Sequence, residues 1–399
     1  MKKKYLILAS FAFSQLFASA QTLNDTTKNK LSKSEIELVY NHYQQNGNNS
    51  AVTGGIGTEK LTVFGPSITQ KNTYGNSTLS INLGIDVISS ASTDNIDYVV
   101  SSASSVDRRF YINGDYSKDI KSKNLSLNGG LGLSGESDYL SLSGNIGFTK
   151  KDKANMRSFS ARVQILQDDL RWGRGNPGYY RPVKLIYPSE LRYKDWYEGY
   201  KRNSYILKLG FTQLLNKRNT LGFFPEFTFQ QGLLATPFHR VYFSDGSLRV
   251  ENLPNIRFKT AAAIKLNTFV GGRFIFKNTI NGYTDNFGIQ AISVEHETVI
   301  KLKPSLTLLP AFRIYSQQGS RYFKGFQAHS SMEEFYTSDY DLSDFQRFNI
   351  GLGVNYSSQK YVSKKRTLSN FLLRYTYSNR SNNLQSHIFS LIVQTSRNK

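Results

Sequence analysis

The stretch LSINLGIDV, residues 79–87, sets apolar side chains at 79, 81, 83, 85 and 87 with Ser80, Asn82, Gly84 and Asp86 between them. A period of two separates an apolar from a polar face only in extended chain, where successive side chains point to opposite sides. Strands of soluble sheets mostly stop at about five or six residues. A tilted strand that crosses a bilayer needs about 9–11. Long alternating runs recur at 124–133, 139–148 and 159–165. Further candidate strands lie at 108–118, 204–214, 220–230, 256–267, 273–281, 287–301, 305–315, 347–357, 368–378 and 385–395. The expected fold is therefore all-β: a transmembrane antiparallel up-and-down β-barrel of about 14 strands, following a cleaved signal peptide.

The spacing of the connections supports a barrel. Such barrels carry long loops at one end and short turns at the other. The long connections, 89–107, 168–203, 231–255 and 316–346, follow the first, fifth, seventh and eleventh strands, so all fall at one end. The short links 215–219 and 302–304 follow the sixth and tenth. Both termini then lie at the short-turn, periplasmic end.

Residues 1–20 read as a signal peptide: Lys2, Lys3 and Lys4, an apolar run over 5–17, and Ala18-Ser19-Ala20 as the cleavage site. Residues 21–59 read as a polar N-terminal periplasmic segment. It has a weak helical stripe (Leu31, Ile36, Val39, Tyr40, Tyr43) and an Asn/Gly/Ser-rich linker over 46–57. Residues 60–399 form the barrel domain, with 60–64 either a short extra strand or a plug. There is no cysteine, so a closed sheet rather than disulfides must hold the chain. Mean hydropathy of −0.42 excludes apolar helical spans, and strands that show lipid only every second residue account for it. A net charge of +21 suits nucleic acid in a cytoplasmic protein. In an exported one it points to lipopolysaccharide phosphates or acidic glycans. The expected location is the cell outer membrane. Its expected partners are membrane lipid and lipopolysaccharide, a small solute and envelope proteins, with no nucleic acid and no cofactor.

Five segments are familiar as a set: SSASTDNID (89–97), FHRVYF (238–243), YTDNFGI (283–289), RIYSQQ (313–318) and YTSDYDL (336–342). Together they resemble the exported family catalogued as domain of unknown function 3570, over about residues 60–399. The resemblance implies an outer-membrane β-barrel. Its members' tendency to neighbour genes for a flavin transferase and a thioredoxin-like protein implies an envelope redox or flavin context.

Chemistry-bearing residues are concentrated in two places. In YTSDYDLSDF (336–345), Asp339, Asp341 and Asp344 stand among Tyr336 and Tyr340. Carboxylates in a loop can take a hard cation, pair with arginines, or act as acid and base. The favoured reading is a mouth network with Arg240, His239, Asp285, Arg313 and Arg321, or with Arg347. Whether a metal ion joins it is left open by the residues alone. The second concentration, Trp172, Arg174, Tyr179, Tyr180, Arg181 and Trp196, suits stacking on sugars or planar rings, or an aromatic girdle.

Other motifs are weak. GRGNPG (173–178) fits the letters of a dinucleotide fingerprint, but prolines follow where a helix must start. His42, His239, His296, His329 and His387 lack zinc spacing. A hydrolytic Ser–His pair would need His387 with Ser386 or Ser390, or His239 with Ser244. The leading expectation is a non-enzymatic channel or binding protein for a small polar or aromatic solute at the outer mouth. A non-conducting structural or partner-binding component of an envelope complex comes second, and an outer-membrane hydrolase third.

Overall fold

The structure, a computed structural model, describes residues 31–90, 106–136, 139–170, 198–236, 239–357, 360–363 and 365–398. Nine strands come first: β1 (Leu31–Asn46), β2 (Leu61–Tyr74), β3 (Ser77–Ser90), β4 (Val106–Ile120), β5 (Leu125–Gly135), β6 (Leu140–Lys151), β7 (Arg157–Asp169), β8 (Lys201–Leu214) and β9 (Asn219–Gly232). A short hairpin follows, β10 (Arg240–Tyr242) and β11 (Leu248–Val250). Then come β12 (Ile256–Val270), β13 (Phe274–Asp285), β14 (Gln290–Lys303), β15 (Leu306–Gln318), β16 (Phe345–Tyr356), the three-residue β17 (Tyr361–Ser363), β18 (Arg366–Arg380) and β19 (Gln385–Asn398).

Sixteen of these strands form one closed antiparallel barrel; β9 pairs with β12, β16 with β18, and β1 with both β2 and β19. Closure leaves no sheet edge, the condition under which a β-structure can sit in hydrocarbon. All the strands expected from the alternation are present, but the count is 16 and not about 14. The two extra strands are β1 and β2. The stripe that read as helical in residues 31–43 mixes two strand faces: Tyr40 faces outward, beside Leu38 outside the stripe, while Val39 and Tyr43 point inward on the alternate positions. β2 carries Gly65-Pro66, which ordinarily argues against a strand. Its pairing to β3 skips both residues, running from Phe64↔Val87 to Ser67↔Gly84, so the missing proline N–H is tolerated there. Residues 31–46 and 61–74 thus belong to the barrel wall, and the wall begins well before residue 60. The expected signal peptide, residues 1–20, lies outside the described residues.

Adding two strands at the start leaves the parity of every later connection unchanged. Connections 47–60, 91–105, 170–200, 233–255 and 319–344 share one end with the short ones at 136–139, 286–289 and 381–384. The links at 75–76, 215–218, 271–273 and 304–305 lie at the other, with Leu31 and Asn398.

The two faces of the wall differ in chemistry. Outward positions expose Leu131 (68%), Ile146 (71%), Phe110 (59%) and Ile292 (57%), an apolar surface that water would not tolerate in a soluble protein. Inward positions are polar and bonded across strands. Asn82 Nδ2 donates to Thr69 Oγ1 at 2.9 Å and Asn281 Nδ2 to Ser293 Oγ at 3.0 Å. Arg374 of β18 passes beside Gly353 of β16 to meet Glu297 of β14 at 2.5 Å, a reach across two strands. An arginine at Leu131 is expected to cost about 2–4 kcal/mol in refolding titrations into lipid. A cost near zero would place this face in water.

Candidate functional site

Three outer connections, 47–60, 233–255 and 319–344, build a small folded unit over the barrel mouth. The β10–β11 hairpin supplies Val241 and Phe243, both fully buried. Phe243 meets Tyr336 edge-on with centroids 4.8 Å apart, and the Arg249 guanidinium lies 4.6 Å from the Phe243 ring centre. Backbone bridges join Phe243 to His329, Asn252 to Tyr336 and Phe323 to Thr337. The stretch Tyr336-Thr337-Ser338 is therefore buried in this unit. Ser338 Oγ donates to the Arg240 carbonyl at 2.6 Å, and the Thr337 hydroxyl donates to Glu251. Glu251 also accepts the Thr236 N–H at 2.5 Å, and its carboxylate lies 3.5 Å from His239 Nδ1. His329, fully buried, donates from Nε2 to the Thr337 carbonyl at 3.0 Å, with Nδ1 2.6 Å from Glu333.

Connection 47–60 lies on top of this unit. At Gly54 the backbone has φ +84°, and a Cβ there would sit 2.4 Å from a Tyr242 ring carbon. Only glycine allows both the conformation and the approach.

The acidic stretch has a different task for each carboxylate. Asp339 caps the single turn Tyr340–Leu342 by accepting the Asp341 N–H at 2.8 Å, and it lies 3.9 Å from His239. Asp341 pairs with Arg380 of β18, whose other terminal nitrogen donates to the Tyr340 carbonyl at 2.8 Å. The Arg380 guanidinium also stacks 3.8 Å from the Phe345 ring centre. Asp344 accepts the Gly319 N–H at 2.8 Å, closing the base of the long connection. Tyr340 packs edge-on against Phe323 at 5.0 Å.

The remaining expected residues fall beside or beneath this unit. Asp285 has no exposed side-chain surface; it pairs with Arg257, receives the Tyr283 hydroxyl at 2.8 Å, and accepts the N–H groups of Phe287 and Ile289 at 3.0 Å each. Arg321 docks through its backbone, its N–H donating to the Phe287 carbonyl at 3.0 Å. Arg313 is on the wall below, 3.2 Å from Glu295. The aromatic loop residues Trp172, Arg174, Tyr179, Tyr180, Arg181 and Trp196 lie outside the described residues. Sequence reasoning missed Arg380, Glu251, Glu59 and Phe243. The nearest hint to Arg380 was its position at the outer end of a predicted strand.

Burial and crowded charge set the electrostatics. Burial, reinforced by Asp341, lifts the Glu59 carboxyl to about 7. Burial also raises Asp339 to about 6, opposed by His239 and reinforced by Asp341 and Glu251. For His239 burial pulls downward, but Glu251, then Asp339 and Asp341, outweigh it and lift the imidazole to about 9. Among the described residues no group of three or more histidines and carboxylates is placed to hold a metal ion.

Beneath the loops lies a lumen cavity of about 680 Å³. Its wall includes Arg257, Lys265, Tyr283, Arg313 and Tyr315, and Asp341 and Leu342 of the acidic stretch face it from the loop side. The two histidines that the hydrolase pairings would use are taken up by other contacts. His387 bonds to the Tyr375 hydroxyl at 2.7 Å on the outer face, while Ser386, its strand neighbour, is fully buried on the other. His239 has Glu251 and Asp339 as its neighbours.

The sequence matches, over residues 3–388, the family described as protein of unknown function, DUF3570. The chain belongs to this family. No curated protein matches the chain in sequence. Among solved structures it is similar to a BenF-like porin from Pseudomonas fluorescens Pf-5, at 12% identity, TM-score 0.42, over 92% of this chain and 99% of that one. It is similar to Pseudomonas aeruginosa OpdK with vanillate, at 10% identity, TM-score 0.41, over 91% and 98%. A bacterial polysaccharide outer membrane secretin is similar at 8% identity, TM-score 0.47, over 92% and 98%. The outer-membrane barrel architecture of this DUF3570 member rests on its own strand pairing and its two-faced wall.

Proposed function

We propose that this DUF3570 barrel is a selective channel or binding protein that admits a small polar or aromatic solute at its outer mouth. The observation that carries the reading is the pairing of a lumen cavity of about 680 Å³, with charged and apolar side chains in its wall, with a loop unit above it that has its own buried core. A barrel of this size is wide enough for an aqueous path. A loop unit with its own buried core, tied to the wall through Arg380 and Gln317, can restrict that path. The second reading, a non-conducting structural component, draws on the Arg374–Glu297–Lys277 network, which commits polar side chains to bracing the interior.

Planar-bilayer recordings of the purified chain separate the two. Selective passage predicts small, closing conductance steps that enlarge when the loop unit is disrupted. Zero conductance in both the native protein and a loop-disrupted variant would overturn passage and favour the structural reading.

A further inference from the structure

Phe223 and Phe227 of β9 face outward, so Phe224 and Glu226 point into the lumen. The Phe224 ring lies flat on the wall over two buried glycines. A Cβ at Gly222 would stand 2.5 Å from its Cε2, and one at Gly210 of β8 would stand 3.2 Å from its Cδ1, opposite corners of the same ring. A side chain at Gly222 would lift that edge of the ring off the wall. Lys265, on the neighbouring β12, holds its Nζ 5.3 Å from the ring centre, on the open side. Phe224 and Glu226 line both the cavity beneath the loops and a second one of about 380 Å³. The second cavity has the size of a small-molecule pocket.

Polar groups of both kinds stand around this ring. Lys208 Nζ and the Glu226 carboxylate face each other at 3.5 Å, with side chains 46% and 40% exposed. Arg162, in the same lining, donates to Asn128 Oδ1 at 3.1 Å. An ion of either sign meets like charge here, because Glu226 opposes anions while Arg162, Lys208 and Lys265 oppose cations. A hydroxyl both donates and accepts, so neighbouring hydroxyls can use Lys208 and Glu226 together. The C–H groups on one side of a pyranose ring pack against the negative face of an aromatic ring. Lys265 has a flexible stem, so its ammonium can swing from the ring to a hydroxyl. We propose that Phe224 is the floor of a binding site for an uncharged sugar ring, with Glu226 and Lys208 holding its hydroxyls. This deepens the channel reading by naming a solute class and the place where it is held, and it rests on that reading for the solute's route.

The test is calorimetric titration of the purified full chain, in a detergent without a sugar head group. The probes are glucose, its open-chain alcohol sorbitol, benzyl alcohol and benzoate. Glucose is expected to bind at least about tenfold more tightly than sorbitol, which carries similar hydroxyls and no ring, and more tightly than the two aromatic probes. Phe224→Ala is expected to erase the preference over sorbitol, and Phe224→Tyr to keep it. Gly222→Ala is expected to weaken glucose binding about fivefold by tilting the ring, although it changes no polar group. Glu226→Leu is expected to weaken it by a similar factor. Absent glucose binding, equal binding of glucose and sorbitol, tighter binding of benzoate or benzyl alcohol, or glucose binding unchanged in Phe224→Ala or Glu226→Leu would overturn the inference. If Phe224→Ala or Gly222→Ala fails to fold, as heat-modifiable gel mobility reports, the four probes on the native chain and Phe224→Tyr carry the decision. Glucose preference without conductance would overturn passage alone. Conductance without that preference would overturn this inference alone.

Discussion

Replacing Phe243 by alanine is expected to release the mouth loops while leaving the barrel folded. The apolar centre of the loop unit is the contacting trio Val241, Phe243 and Tyr336. Removing a fully buried phenylalanine ring from a core costs about 3–5 kcal/mol. Here the loss falls at the centre of the unit, and the Arg249 stack and the edge contact to Tyr336 go with it. The wall is stabilised separately, by sixteen strands in a closed ladder. Limited proteolysis should therefore cut within 239–252 and 319–344 at least about tenfold faster than in the native protein. Heat-modifiable mobility should persist, showing an intact barrel. In bilayers the same variant should conduct more freely. Cleavage unchanged from native would mean that these loops are held by contacts other than this core.

Raising the pH is expected to loosen the same unit, and three groups act in one direction. Glu59 and Asp339, raised to about 7 and about 6, prefer their neutral forms in the folded loops. Their contribution is fully present below their unfolded values of 4.5 and 3.8 and is lost as pH climbs through 6 and 7. His239, raised from 6.5 to about 9, contributes in its charged form beside Glu251. That contribution is fully present below 6.5 and is lost as pH rises through 9. The loops should be tightest near pH 4 and loosest near pH 9. A tenfold difference in proton affinity between the folded and the released loops is worth about 1.4 kcal/mol, so cleavage at 319–344 should rise at least about tenfold between pH 5 and 9. Substituting His239 by glutamine should flatten the upper part of this profile, and Glu59→Gln the middle. A profile that falls with pH would contradict the assigned surroundings of all three groups: the burial of Glu59 and Asp339 and the carboxylates beside His239.

Much of the wall was legible without coordinates because a membrane barrel imposes its solvent on every second residue. LSINLGIDV shows this most plainly: its leucines, isoleucines and valine face lipid, and Asn82 and Asp86 face the lumen, where Asp86 meets Arg109. β1 escaped because its outward apolar row is short, and β2 because Gly65-Pro66 interrupts the ladder, which a strand between two partners can bear locally. The loops were far less legible. Asp339, Asp341 and Asp344 stood out as a cluster, yet their partners, His239, Arg380 and the Gly319 N–H, come from three different distances along the chain. No periodicity encodes such pairings.

The division follows from range. Alternation, connection lengths and the absence of cysteine are local properties, and together they determined a closed transmembrane sheet with its long loops at one end. Tertiary structure alone decided what those loops do: that Thr337 and Ser338 are buried beside Glu251 and Arg240, and that Asp341 faces the lumen cavity and reaches Arg380 of β18. Contacts between residues up to about a hundred positions apart depend on where closure of the barrel sets the loop ends, and only the folded ring specifies that.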